Sequence, residues 1–199
     1  MSVTSSQNSK VFSLPNILTY GRLVAVPLVV GFMFWPEEHW ARWAAFTLFI
    51  LAAITDYFDG YLARAYAQQS TLGRMLDPIA DKLLVASCLL MLVRENQPVT
   101  GVAVWAAIVI LCREILVSGL REFLAELRVS VPVSRVAKWK TTAQLVALSF
   151  LILGPAGDVY FSWTTSIGIM LLYIAAILTL YTGWDYLHSG IKHLVEPDS

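Results

Sequence analysis

The feature that most restricts the fold of this chain is a succession of apolar stretches of membrane-crossing length, each interrupted by charge at one end only. Helical segments are predicted over 14–35, 41–67, 74–94, 99–127, 136–154 and 160–188. Their lengths lie near the ~20 residues that a helix needs to cross a bilayer. Breakers and polar turns separate them: Trp35-Pro36-Glu37-Glu38, Gln68-Gln69-Ser70-Thr71, Glu95-Asn96-Gln97-Pro98, Arg128 to Pro132, and Gly154-Pro155-Ala156-Gly157-Asp158. At 57% hydrophobic and 14% charged, the chain is more apolar and less charged than ordinary soluble domains, which are about half apolar and a quarter charged. The expectation is an all-α integral membrane protein, a bundle of six transmembrane helices forming one domain. Residues 1–12 would be a polar N-terminal segment without signal-peptide architecture, 13–190 the core and 191–199 a solvated tail.

None of the six segments is a clean apolar run. The polar half is the start of the first (Asn16, Thr19, Arg22), third (Asp77, Asp81, Lys82) and fifth (Lys138, Lys140, Thr141, Gln144). It is the end of the second (Asp56, Asp59, Arg64), fourth (Arg113, Glu114, Arg121, Glu122) and sixth (Asp185, His188). If direction alternates through the membrane, all these halves fall on one side, as a polar cavity open to one face requires. All of the 14 basic residues except Arg42 and Arg94 fall on the side of the termini, so termini and cavity are expected to face the cytoplasm. Trp35, Trp40, Trp43, Trp105 and Trp163 near segment ends suit the interfacial belts. Cys88 and Cys112 lie in apolar segments and read as two buried thiols rather than a disulfide.

The chemistry concentrates between Thr55 and Lys82. Asp56, Asp59, Asp77 and Asp81 are set in hydrocarbon-seeking sequence, where carboxylates are costly and usually serve a function. At about 100° per residue, Asp56, Asp59, Gly60 and Ala63 share one helix face, and Asp77 and Asp81 share another. Four carboxylates brought together repel unless protonated or bound to a divalent cation, and a metal site is the expectation. Gly60 and Ala63 lack bulk, so a ligand can approach closely, and Arg64 supplies a phosphate-binding fork one turn on. This combination suits a metal-bound diphosphate.

The spacing of Asp56, Asp59, Gly60, Ala63, Arg64, Gly73, Asp77 and Asp81 resembles the signature of the CDP-alcohol phosphotransferases. The likeness extends to Pro15-Asn16-Ile17-Leu18-Thr19 with Arg22, to Cys112-Arg113-Glu114-Ile115 through Ser118-Gly119-Leu120-Arg121-Glu122, and to the run from Ala137 to Gln144. It covers residues from about 13 to 190, and the latter regions are similar to the bacterial branch whose acceptor is glycerol 3-phosphate. The resemblance implies a six-helix bacterial inner-membrane enzyme, usually a homodimer, working on CDP-diacylglycerol among membrane lipids. Asp56, Asp59, Asp77 and Asp81 would hold two divalent cations, Mg²⁺ or Mn²⁺, with Asp81 also the candidate general base. Gly60, Ala63, Arg64, Ser70, Thr71 and Gly73 would surround the cytidine and its phosphates, and Asn16, Thr19 and Arg22 would contact the diphosphate.

Arg113, Arg121, Lys138 and Lys140 are expected to bind the acceptor phosphate, with Glu114 and Glu122 holding those cations or the acceptor hydroxyls. Each of these basic residues could instead serve only topology or contact with anionic lipids. Other acceptors remain open at this point, among them inositol phosphate, serine and phosphatidylglycerol. A divalent-cation transporter is the alternative of a different class, but beyond the polar halves only Arg42, Glu95 and Asp158 stand at the far boundary, whereas a conduction path has to cross. Nothing suggests a nucleic-acid partner.

Overall fold

The computed structural model describes residues 14–66, 71–127 and 135–195. Every regular element among them is helical: α1 (Leu14–Met33), α2 (His39–Tyr66), α3 (Thr71–Leu92), α4 (Ala103–Glu126), α5 (Arg135–Asp158) and α6 (Thr164–Val195). The chain divides into two compact units, Met1–Leu92 and Val93–Ser199. The helices expected from the sequence are all present. Three of them, over Asn16–Met33, Ala103–Glu126 and Thr164–Gly190, are long and apolar enough to cross a membrane by length and composition. The other three carry Asp56 and Asp59, Asp77 and Asp81, or Lys140 and Gln144 within their own length, which dilutes the apolar signal.

In the first unit α1 packs against both α2 and α3. The inward face of α1 begins with Asn16, Thr19 and Arg22, all buried, and continues as Val29 and Met33. The inward stripe of α2 is small and apolar, Ala41, Ala45, Phe49 and Ala52, which lets helix backbones approach. On α3 the stripe runs Gly73, Ala80, Leu84, Cys88 and Leu92, while Met75, Ile79, Leu83 and Leu90 face outward, as lipid-facing residues do. In the second unit α6 packs against α4 and α5. Its core combines Ile110, Val117 and Leu124 of α4, Leu148, Leu151 and Ile152 of α5, and Leu172, Ala175 and Tyr186 of α6.

Some hydroxyls on these helices bond back to the preceding turn: Thr47 donates to Trp43 O at 2.8 Å and Ser149 to Leu145 O at 2.8 Å. Such back-bonding is how a polar side chain is accommodated where water is scarce. The Trp35, Trp40, Trp43, Trp105 and Trp163 rings, placed at or near helix ends, are all exposed.

Three expectations are corrected. The fifth helix does not end at Gly154: it bends there, with φ 43° and ψ −126°, and resumes through Pro155 to Asp158. Proline is at home in the first turn of a resumed helix because it lacks the N–H that would go unpaired there. Asp158 then accepts from the backbone N–H of Thr165 at 3.0 Å, satisfying a donor in the first turn of α6. Secondly, α6 runs to Val195, well past 188 and into the expected tail. Thirdly, the two cysteines are both free, yet only Cys88 is buried; Cys112 is exposed on the outer face of α4. Apolar sequence on both sides of a residue does not say which face of a lipid-embedded helix it occupies.

Candidate active site

In the first unit the chemistry centres on Arg22. Its place three residues after Thr19 and six after Asn16 puts all three on the face of α1 that meets α2 and α3. The Arg22 side chain is wholly buried, and its Nη1 reaches a carboxylate from each neighbour: an ion pair with Asp56 Oδ1 of α2, and Asp77 Oδ1 of α3 at 3.4 Å. Fifty-five residues separate Arg22 from Asp77, and only helix packing unites them. The two carboxylate side chains remain about a third exposed, 37% and 30%.

Asp81 lies one turn beyond Asp77 on α3 and is half-buried, and Gly73, one turn before Asp77, is buried. Asp59, Gly60, Ala63 and Arg64 lie on the last two turns of α2, but their side chains fall outside the described residues. Ser70 falls outside them altogether, and Thr71 opens α3 with its side chain likewise outside.

Among the described residues no three potential metal ligands form a group. The donor set nevertheless fits a hard divalent cation: Asp56 and Asp77 bring carboxylate oxygens from two helices to one nitrogen, and hard cations take oxygen ligands.

In the second unit a separate polar cluster forms around Glu114 of α4. Its Oε1 accepts from Lys140 Nζ of α5 and from Arg113 Nη1 at 3.4 Å. Arg113 also donates from Nη2 to Thr182 Oγ1 of α6 at 3.2 Å. Lys140 and Gln144, one turn apart, are both buried. Two of the four predicted acceptor cations, Arg113 and Lys140, are thus brought together. Arg121 is not with them: it is exposed and lies over the Tyr186 ring, 5.6 Å from its centroid, a cation–π arrangement. The side chain of Lys138 falls outside the described residues, and Glu122 is exposed.

Sequence reasoning missed Thr182. Asp185 and His188, the polar end expected of the last helix, are both exposed, while Thr179, Thr182 and Tyr186 are buried. The available signal was a run of hydroxyls at helical spacing, Thr179, Thr182 and Tyr186, on the face that carries Leu172 and Ala175 lower down.

A model of one family, CDP-alcohol phosphatidyltransferase, matches residues 12–181. Among curated proteins, a Rickettsia bellii protein is 46% identical over 181 residues, covering 91% of this chain and 97% of its own. A Shigella flexneri protein is 42% identical over 93% of this chain and 98% of its own, and one from Cereibacter sphaeroides 41% identical over 92% and 97%. All three carry the name CDP-diacylglycerol–glycerol-3-phosphate 3-phosphatidyltransferase.

Proposed function

The chain belongs to the CDP-alcohol phosphatidyltransferase family, and from that premise we propose how its residues divide the work. It is a membrane enzyme that transfers the phosphatidyl group of CDP-diacylglycerol to glycerol 3-phosphate, giving phosphatidylglycerophosphate and CMP on the route to anionic phospholipids. The observation that carries the residue assignment is the meeting of Asp56 and Asp77 at the buried Arg22. A buried cation flanked by part-exposed carboxylates suits a bound diphosphate, whose oxygens accept from the guanidinium and whose charge needs further neutralisation.

Asp56, Asp59, Asp77 and Asp81 would hold two divalent cations, Mg²⁺ or Mn²⁺, which when bound neutralise the diphosphate oxygens and ease departure of CMP. Asn16, Thr19 and Arg22 orient the diphosphate, and Gly60, Ala63, Arg64, Ser70, Thr71 and Gly73 enclose the nucleotide end. Arg113 and Lys140, with Arg121 and Lys138, bind the phosphate of the acceptor. Asp81 removes the proton from the primary hydroxyl of glycerol 3-phosphate. That oxygen then forms a bond to the β-phosphorus as the bond from phosphorus to the bridging oxygen breaks, and CMP takes the bridging oxygen with its electron pair. Residues 13–190 make up the catalytic core of a bacterial inner-membrane protein with cytoplasmic termini, assembled as a homodimer.

The test is a reconstitution in detergent micelles with CDP-diacylglycerol, Mg²⁺ and labelled glycerol 3-phosphate. CMP and labelled lipid should appear in equal amounts, and both should vanish with EDTA or in Asp77→Ala. Asp81→Asn should lose most turnover even at saturating Mg²⁺; near-normal turnover would remove Asp81 as the base. CMP release with another alcohol and none with glycerol 3-phosphate would discard the acceptor assignment.

A further inference from the structure

Glycine is an unfavourable choice inside a helix, because it gives up more backbone freedom than alanine would. Gly183 nevertheless sits within α6, next to Thr182, on the turn that faces Arg113 of α4. A Cβ at position 183 would stand 2.9 Å from Arg113 Cγ and 3.4 Å from its Nε. Carbon atoms do not approach that closely without one of them moving, so the aliphatic stem of Arg113 lies in a groove that only glycine leaves open.

Thr182 completes the seat. Its hydroxyl donates to Leu178 O at 2.8 Å, so its proton is committed to the helix backbone. The oxygen is thereby left to accept, which it does from Arg113 Nη2 at 3.2 Å. With Nη1 donating to Glu114 at 3.4 Å, the plane of the guanidinium is set from both ends. Two of its five N–H donors are engaged in this way; Nε–H is buried against α6 without a hydrogen-bond partner among the described residues, and one N–H on each of Nη1 and Nη2 stays uncommitted there. A guanidinium whose plane is fixed while Nη donors stay uncommitted is the arrangement that receives a phosphoryl oxygen.

We propose that Thr182 and Gly183 are positioning residues for acceptor recognition: the groove at Gly183 and the hydroxyl of Thr182 hold the guanidinium of Arg113 so that its uncommitted Nη N–H donors meet the phosphate of a phosphomonoester acceptor. This rests on the reading of Arg113 as a ligand of that phosphate. An acceptor without a phosphate gains nothing from the seat, so the pair contributes to selection of glycerol 3-phosphate over unphosphorylated alcohols.

Initial rates of the full-length protein in micelles, with each substrate varied at saturation of the other, test this together with thermal unfolding of each variant. Gly183→Ala should raise KM for glycerol 3-phosphate about fivefold or more, while KM for CDP-diacylglycerol and kcat stay within about twofold. In an Arg113→Ala background the same change should cost nothing further, because the stem it collides with is gone. Thr182→Val should raise the acceptor KM and Thr182→Ser should restore it. An equal penalty for Gly183→Ala in both backgrounds, or an acceptor KM unmoved by it, overturns the positioning role while leaving Arg113 as a ligand. An acceptor KM unmoved by Arg113→Ala overturns the ligand reading and the positioning role with it. Should Arg113→Ala fail to fold, the Thr182 pair decides alone: equal acceptor KM in the Val and Ser variants overturns the proposal.

Discussion

A guanidinium with no exposed surface needs its charge answered nearby, and Arg22 finds Asp56 and Asp77 on two different helices. Its buried position on α1 is unlike that of an arginine that snorkels to the interface, which would be exposed at its tip. Arg22→Gln keeps a polar side chain but leaves two carboxylates facing each other without a cation. We expect kcat/KM for CDP-diacylglycerol to fall at least about tenfold, near 1.4 kcal/mol of transition-state stabilisation, with Arg22→Lys intermediate. The acceptor KM should stay close to that of the unmodified enzyme; steady-state rates with each substrate varied in turn provide the check. An equal rise in both KM values would mean that Arg22 serves the fold rather than the diphosphate.

At the scale of the element, the interruption of α5 is the feature with the clearest energetic consequence. Gly154 has φ 43° and ψ −126°, a backbone conformation in which a Cβ is strained. Gly154→Ala should therefore destabilise the protein by about 1–3 kcal/mol. The expected readout is a lower unfolding midpoint in detergent, with both KM values unchanged because Gly154 lies nearly three turns beyond Gln144 on α5. The same helix shows why element boundaries were only partly legible. Gly-Pro in sequence announces a break, but whether the chain turns away or bends and resumes depends on what receives the next turn. Here Ala156 is buried, and that contact carries the helix on to Asp158.

At the scale of the whole molecule, the basic residues give a directional prediction that needs no atomic detail. With the termini cytoplasmic, the turn holding Glu37 and Glu38 and that holding Val159, Tyr160 and Phe161 should lie on the opposite side. In a cysteine-free variant of proven activity, a cysteine replacing Glu37 should react with a membrane-impermeant maleimide added to intact cells. A cysteine replacing Ser199 should react only after permeabilisation. The reverse pattern would overturn the orientation and, with it, the cytoplasmic supply of glycerol 3-phosphate to the site.

What the sequence determined by itself is everything that follows from local periodicity and composition. That includes six helices, three of them long and apolar enough to cross a membrane, and the expectation of a site in the stretch from Asp56 to Asp81, where carboxylates in apolar surroundings are costly. It also placed Asn16, Thr19 and Arg22 on one face, since helical spacing alone does so. Only the tertiary structure decided which partners those faces meet. That Arg22 joins Asp56 to Asp77, that Glu114 is shared by Arg113 and Lys140 while Arg121 lies on Tyr186, and that Thr182 and Gly183 seat Arg113 are all contacts across helices. In a lipid-embedded chain the apolar residues cover both the inner and the outer face of a helix, so hydropathy cannot tell one from the other. The packing of small residues and the satisfaction of buried polar groups settle the rotation of each helix, and both depend on residues far away in the chain.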